Sequence, residues 1–371
     1  MLTYIYKLAT DKEKGAFAGI IKLFLYLLSL IYGFIVKIMI FIYRLKPCRL
    51  DCKVISVGNI TLGGTGKTSL VLLIARYLKE NGHKVAVLSR GYKRKAASQG
   101  AVVWPPIAKA MSQDAMGDEP YMLKANLKDI PVIVDADRMR SAKQAIADYG
   151  VDTVILDDGM QQWRIKKDLE IVTIDATSVF GNGNVIPRGI LREPLSSLGR
   201  ADMFILTKTN LASGGRAAET LLRSIDPKTL IVGSAHLPLN FGVAGKQDEA
   251  LNLNMFAGKT AVLFSGIAEP DSFENLVNGL GIMVGMHLKF PDHYNYTRQD
   301  LDNILRNSRQ KNIDIVITTE KDAARIRDLK IPLFLPAGQA GDLRIFYLRI
   351  ELKITKNEEE FHNRLLGLYS S

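Results

Sequence analysis

The stretch ISVGNITLGGTGKTS, residues 55–69, decides the fold. It reads as the end of a β-strand, a glycine-rich loop and the first turn of a helix, the context in which Gly-Lys-Thr binds phosphate. The general pattern G-x-x-x-x-G-K-[ST] wants glycine five places before Gly66. Thr61 stands there instead, and the glycines are displaced to Gly58, Gly63 and Gly64. Gly63 and Gly64 can still supply the unusual backbone angles that such a loop needs. The residues expected to contact a nucleotide are Thr61, Leu62, Gly63, Gly64, Thr65, Gly66, Lys67, Thr68 and Ser69. Their N–H groups and the helix N-terminus face phosphate oxygens, Lys67 reaches the outer phosphates, and Thr68 offers a hydroxyl to Mg²⁺.

A phosphate loop needs an acid to hold the metal. VDTVILDDG, residues 151–159, supplies Asp157 and Asp158 at the end of an apolar strand, where that carboxylate belongs. The segment ILTKTN, residues 205–210, resembles the T/N-K-x-D motif that reads guanine. Asn210 lacks the carboxylate that would accept both guanine N–H groups, which favours ATP over GTP.

Around the loop, short Val/Ile/Leu runs (KVISVG, HKVAVLS, IPVIVDA, LEIVTID, ADMFILTK) alternate with helical stretches such as KTSLVLLIARYLKENG, which ends on an Asn-Gly stop signal. This alternation implies a parallel sheet covered on both faces. Residues 236–259 turn polar and irregular and read as a linker or crossing strands. A second, smaller α/β set follows: TAVLFSGI, a helix from about Asp271 to Leu280, HLKF, a helix after Thr297, IDIVITT, PLFLP and RIFYLRI. The expected fold class is α/β, a P-loop NTPase-type parallel-sheet domain at 44–235 plus a smaller α/β domain at 260–371. An N-terminal membrane-associated helix precedes them at 1–43.

The chain has 371 residues, 47% of them hydrophobic, and a net charge of +11. More than half of that excess lies in residues 1–53, flanking IIKLFLYLLSLIYGFIVKIMIFIY at 20–43. Its apolar run from Leu23 to Val36 is too short to span a bilayer, and becomes just long enough if counted through Lys37 to Tyr43. Read as one continuous helix, it places Lys7, Lys14, Lys22 and Lys37 within roughly 140° of one another. That pattern favours a helix lying in the interface, its lysines reaching anionic headgroups, over nucleic-acid binding or a cleaved signal peptide. The two cysteines, Cys48 and Cys52, have no His or Cys neighbours for a zinc site and read as reduced, incidental thiols.

Taken in order, GNITLGGTGKTS, SRGYKRK (89–95), GDEPYML (117–123), DADR (135–138) and DDGMQQWRIKKDLEIVTID resemble the tetraacyldisaccharide 4′-kinase family. So do GNGNVIPRGILREPL (181–195), FSGIAEPDSFENL (264–276), FPDHYNY (290–296) and TTEKDAAR (318–325), so the resemblance covers nearly the whole chain after the anchor. It implies transfer of the ATP γ-phosphate to the 4′-hydroxyl of an acylated glucosamine disaccharide 1-phosphate, giving the lipid A precursor lipid IVA. It also implies Mg²⁺, an inner (cytoplasmic) membrane location with the catalytic domains on the cytoplasmic side, and no nucleic-acid or protein partner. By the same resemblance Asp118 and His293 are the expected catalytic pair, with Glu119 a weaker candidate. Arg90, Arg188, Arg192 and Glu193 are weaker candidates for substrate binding. The family pattern DDGxQH ends here in Gln162, which can hydrogen-bond but cannot titrate. Two rival readings remain at the level of sequence: a P-loop GTPase or ATPase of the metal-insertion class, and a membrane-tethered nucleotide-binding regulator.

Overall fold

The computed structural model describes residues 2–91, 102–104, 118–211, 215–246, 249–327 and 344–370. The SRGYKRK motif beyond Gly91 and the strand expected in PLFLP lie outside these residues. One sheet of thirteen strands runs through the molecule. Its first section holds β1 (Lys53–Gly58), β2 (Val85–Ser89), β3 (Val102–Trp104), β4 (Val132–Val134), β5 (Thr153–Asp157), β6 (Leu169–Asp175), β7 (Met203–Thr207) and β8 (Leu230–Val243). The order is β3-β4-β2-β5-β1-β6-β7-β8, parallel throughout except for β3. The short β9 (Ala250–Leu251) pairs with β8.

The second section, β13-β12-β10-β11, is parallel and comprises β10 (Thr260–Ser265), β11 (Met283–Lys289), β12 (Ile315–Thr319) and β13 (Arg344–Lys356). The two sections meet where β8 and β13, 14 and 13 residues long, pair antiparallel. Residues 236–243, read from sequence as linker, are therefore the second half of a long strand. The β13 strand runs six residues past RIFYLRI, so the chain re-enters the first section. There Leu352, Ile354, Phe361 and Leu365 join the core of Ile55, Leu70 and Ile74. The end of the chain, assigned by sequence to the smaller unit, packs against the larger one.

The N-terminal segment departs from a single amphipathic wheel. Helix α1 (Leu2–Ala9) and helix α2 (Ala16–Leu45) are separated by a turn in which Asp11 and Gly15 take φ of 57° and 117°. Lys7 and Lys14 therefore do not share a helix with Lys22 and Lys37. In the turn, Asp11 accepts from Lys22 Nζ at 2.7 Å and from Arg188 at 2.8 Å. At 30 residues α2 is long and apolar enough to cross a membrane. Its later turns nevertheless rest on the first section: Tyr32 Oη donates to the Arg192 carbonyl at 2.9 Å, Gly33 faces Val185, and Tyr43 stacks on Trp163. Phe17, Leu23 and Phe24, by contrast, are 71%, 62% and 60% exposed.

Candidate active site

The site begins at the C-terminal end of β1. Thr61 bridges to Leu191, Leu62 N–H donates to the Ile190 carbonyl at 2.7 Å, and Arg192 N–H donates to the Ile60 carbonyl at 2.6 Å. The start of the loop is thus paired, extended backbone, which has no need of glycine. The left-handed positions fall later, at Gly63 (φ 109°) and Gly66 (φ 80°), which explains the displaced pattern. A Cβ on Gly66 would also meet the His236 ring at 3.0 Å.

Helix α3 (Lys67–Glu80) starts directly after Gly66 and ends at the expected Asn-Gly, with Gly82 at φ 88°. Thr65 and Thr68 are buried; the Thr65 hydroxyl lies 2.7 Å from that of Thr173. Lys67 Nζ donates to Asn59 Oδ1 at 3.1 Å and stands 3.4 Å from Asp158 Oδ1. Asp157 ends β5 nearly inaccessible to solvent and accepts from Ser89 Oγ at 3.2 Å. Asp158 follows with φ 57° and accepts from Arg192 at 2.8 Å. Burial opposes its charge, but Lys67 and Arg192 outweigh burial and hold the carboxyl below the usual range.

These groups open on a cleft of about 990 Å³ between the two sections. Lys67, Arg90, Asp157, Asp158, Gln162 and Arg192 line it from one side, and Glu269, His293, Glu320 and Lys321 from the other. His293 sits in a turn closed by Tyr294 N–H to the Pro291 carbonyl at 3.1 Å, in the left-handed region at φ 58°. A non-glycine residue there costs about 1 kcal/mol or more, and such strain gathers at functional sites. Beneath the turn Phe290, Tyr294 and Tyr296 pack together with ring centroids 4.8 to 5.3 Å apart. Asp118 opens helix α4 (Asp118–Asn126), and its side chain lies outside what the structure describes. Glu119 is the second residue of the same helix.

Two of the weaker candidates lie elsewhere. Arg188 does not line the cleft: it pairs with Asp11 and donates to the Leu8 carbonyl at 3.2 Å, tying the 181–192 loop to the N-terminal turn. Glu193 is fully buried, accepting from Gln161 at 2.9 Å, Trp163 at 3.1 Å and Arg200 at 2.7 Å. It braces the segment that carries Arg192 and has no access to a ligand.

Other cleft residues went unread in the sequence. Lys208, noticed only as part of a guanine-like motif, bridges Asp175 at 2.5 Å and Glu269 at 2.6 Å, linking the two sections. Arg138 of the DADR motif is buried behind Asp157, and that burial lowers its pKa to about 10. His236 packs on the phosphate loop; burial, then the charge of Lys208, lowers its pKa to about 4. With an unfolded value near 6.5, the unfolded chain binds the extra proton between about pH 6.5 and 4. Stability is therefore full above that window and falls through it as pH drops, by about 3 kcal/mol. His236→Gln should flatten this acid limb of Tm against pH. An unchanged limb would show that the imidazole carries a proton in the folded state.

A phosphate loop, its acid-bearing strand and a cleft between two α/β sections lined by both basic and acidic side chains define a P-loop phosphotransferase. The sequence family described as tetraacyldisaccharide-1-P 4′-kinase matches residues 21–370. Among relatives named tetraacyldisaccharide 4′-kinase, the protein of Syntrophus aciditrophicus is 35% identical, the match covering 87% of this chain and 86% of that one. The protein of Syntrophobacter fumaroxidans is 40% identical over 76% and 74%. The structure is similar to that of Aquifex aeolicus LpxK solved with ATP (TM-score 0.69, 25% identity, 92% of this chain and 97% of that one). The chain belongs to the tetraacyldisaccharide 4′-kinase family. It is a lipid A 4′-kinase, and neither rival reading is favoured.

Proposed function

We propose that the phosphate donor is ATP with Mg²⁺, that Asp118 and His293 serve the acceptor hydroxyl, and that α2 holds the enzyme on an anionic bilayer. The observation that carries this reading is the position of His293, which faces the cleft from one section while Lys67 and Asp158 face it from the other. The ATP held by Aquifex aeolicus LpxK supports the nucleotide, as does Asn210 at the position where a guanine reader needs a carboxylate.

The donor set fits magnesium, a hard cation that takes one or two carboxylates and leaves room for phosphate oxygens. Thr68 offers a hydroxyl and Asp157 a carboxylate, while Asp158 Oδ1 is buried with no hydrogen bond among the described residues. Bound there, the ion would offset charge on the β- and γ-phosphate oxygens. Lys67, now beside Asp158, would swing to the phosphates, and Arg192 would stay to hold the Asp158 carboxylate. The 4′-oxygen attacks the γ-phosphorus, its proton passes to the Asp118 carboxylate, and the bond to the β–γ bridging oxygen breaks to release ADP. Since α4 and the His293 turn belong to different sections, the reaction requires the cleft to close. Arg90 lines the cleft, where its guanidinium offers a phosphate two parallel donors.

Measuring lipid phosphorylation with ATP and with GTP, each with and without a chelator, tests the donor. ATP with Mg²⁺ should dominate and chelation should stop transfer. Equal turnover with GTP would overturn the assignment.

For the bilayer, the free end of α2 presents Phe17, Leu23 and Phe24, and residues around it are basic. Cytoplasmic placement of the two sections follows from their need for ATP, with the acyl chains left in the membrane. Each large apolar side chain contributes about 1.5–3 kcal/mol when buried. Changing all three to serine should therefore weaken partition onto anionic vesicles by about 10²-fold or more. ATP binding should survive, because these side chains sit apart from the cleft. Undiminished sedimentation with vesicles would place the anchor elsewhere.

A further inference from the structure

The side chains behind His293 fix which of its nitrogens can work. Arg325, on helix α9 (Glu320–Arg327), extends beneath the 290–296 turn with 5% of its side chain exposed. Its guanidinium donates to Asp322 Oδ1 at 2.7 Å and to the Gly266 carbonyl at 2.9 Å, and it lies 3.1 Å from His293 Nδ1. Asp322 is fully buried and is itself fixed, accepting from Gly266 N–H at 3.0 Å and Thr319 Oγ1 at 2.7 Å. The same Gly266 carbonyl accepts His293 N–H at 3.1 Å. Two elements and one loop thus hold the guanidinium plane and the imidazole edge in register.

A guanidinium has only donors, so its contact with Nδ1 requires Nδ1 to accept. A ring whose Nδ1 accepts carries its proton on Nε2. We infer that Arg325 is a positioning residue that locks His293 as an Nε2–H donor, leaving Asp118 as the group that takes the substrate proton. This rests on the reading of Asp118 and His293 as the reacting pair, and it divides their roles. Held this way, His293 can donate to the Asp118 carboxylate or to a phosphoryl oxygen. It cannot collect a proton on Nδ1 without breaking the bond to Arg325.

Two measurements on the full-length enzyme test the inference. The first is the ¹⁵N spectrum of histidine-labelled protein at about pH 8, above the ordinary histidine range. There are five histidines, and His293→Gln assigns the signal. The expected spectrum has His293 protonated at Nε2 and bare at Nδ1; a proton on Nδ1 overturns the proposal. The second is steady-state kinetics. Arg325→Ala should lower kcat on the order of 10²-fold through misplacement, with KM for ATP unchanged. Arg325→Lys, which keeps one donor, should recover part of that loss. His293→Gln, a donor without the ability to titrate, should retain more activity than His293→Ala. A normal kcat in Arg325→Ala beside a crippled His293→Ala sinks the inference while sparing the pair. Normal rates in His293→Ala would remove the pair itself. If Arg325→Ala does not fold, the wild-type spectrum and the lysine variant still decide.

Discussion

Lys67→Ala is expected to cut turnover by at least about 10³-fold with any acceptor. Lys67 is the first residue of α3, nearly buried, and its ammonium sits between Asn59 and Asp158. Among the described residues no other lysine or arginine donates to Asn59 Oδ1, and charge developing on the γ-phosphoryl oxygens needs a cation already in place. Lys67→Arg should not rescue, because the guanidinium is wider than the ammonium and the slot is closed by the fully buried Asn59. The fold should survive, since Asp158 keeps its 2.8 Å pair with Arg192. A melting curve beside the kinetic assay separates the two effects. Near-normal transfer by a folded Lys67→Ala protein would remove the phosphate-loop assignment.

Asp118→Ala should lower kcat by about 10²–10⁴-fold, the range that general-base assistance contributes. His293→Ala should cost less if the imidazole orients the carboxylate and does not accept the proton. Residues acting on the same proton are not additive, so the double variant should be little worse than Asp118→Ala alone. ATP binding should change little in all three, because neither residue belongs to the phosphate loop. The measurement is kcat for the four proteins at saturating ATP and lipid. Fully multiplicative losses would show independent roles, and an unimpaired Asp118→Ala would end its candidacy as base.

The parallel sheet was legible because its strands are buried on both faces and read as unbroken Val/Ile/Leu runs, from KVISVG to IDIVITT. The capping signals were equally local: Thr297 and Asp300 close a capping box at the start of helix α8 (Arg298–Gln310). What could not be read depended on distant partners. Residues 236–243 look irregular because Pro238 and Asn240 interrupt the apolar run, and only pairing with Ile350 and Arg349 makes them strand. A helical wheel assumes continuity, so it could not reveal that the Asp11–Gly15 turn divides the anchor. Arg188 and Glu193 share a motif with Arg192, yet despite that adjacency their side chains pair with Asp11 and Arg200 and not with Asp158. His236 carried no local pattern and Arg325 stood only as the last residue of TTEKDAAR; their importance comes from what the fold sets beside them, Gly66 in one case and His293 in the other.

The most direct test supplies the enzyme with ATP, Mg²⁺ and a tetraacyl disaccharide that bears a 1-phosphate and a free 4′-hydroxyl. Lipid mass and ³¹P resonances are then followed. The expected product gains one phosphate, shows a new monoester at the 4′-position and keeps its 1-phosphate, while the Lys67→Ala protein leaves the lipid unchanged. ATP consumed without any phosphorylated lipid, or a phosphate gained at another position, would contradict the account.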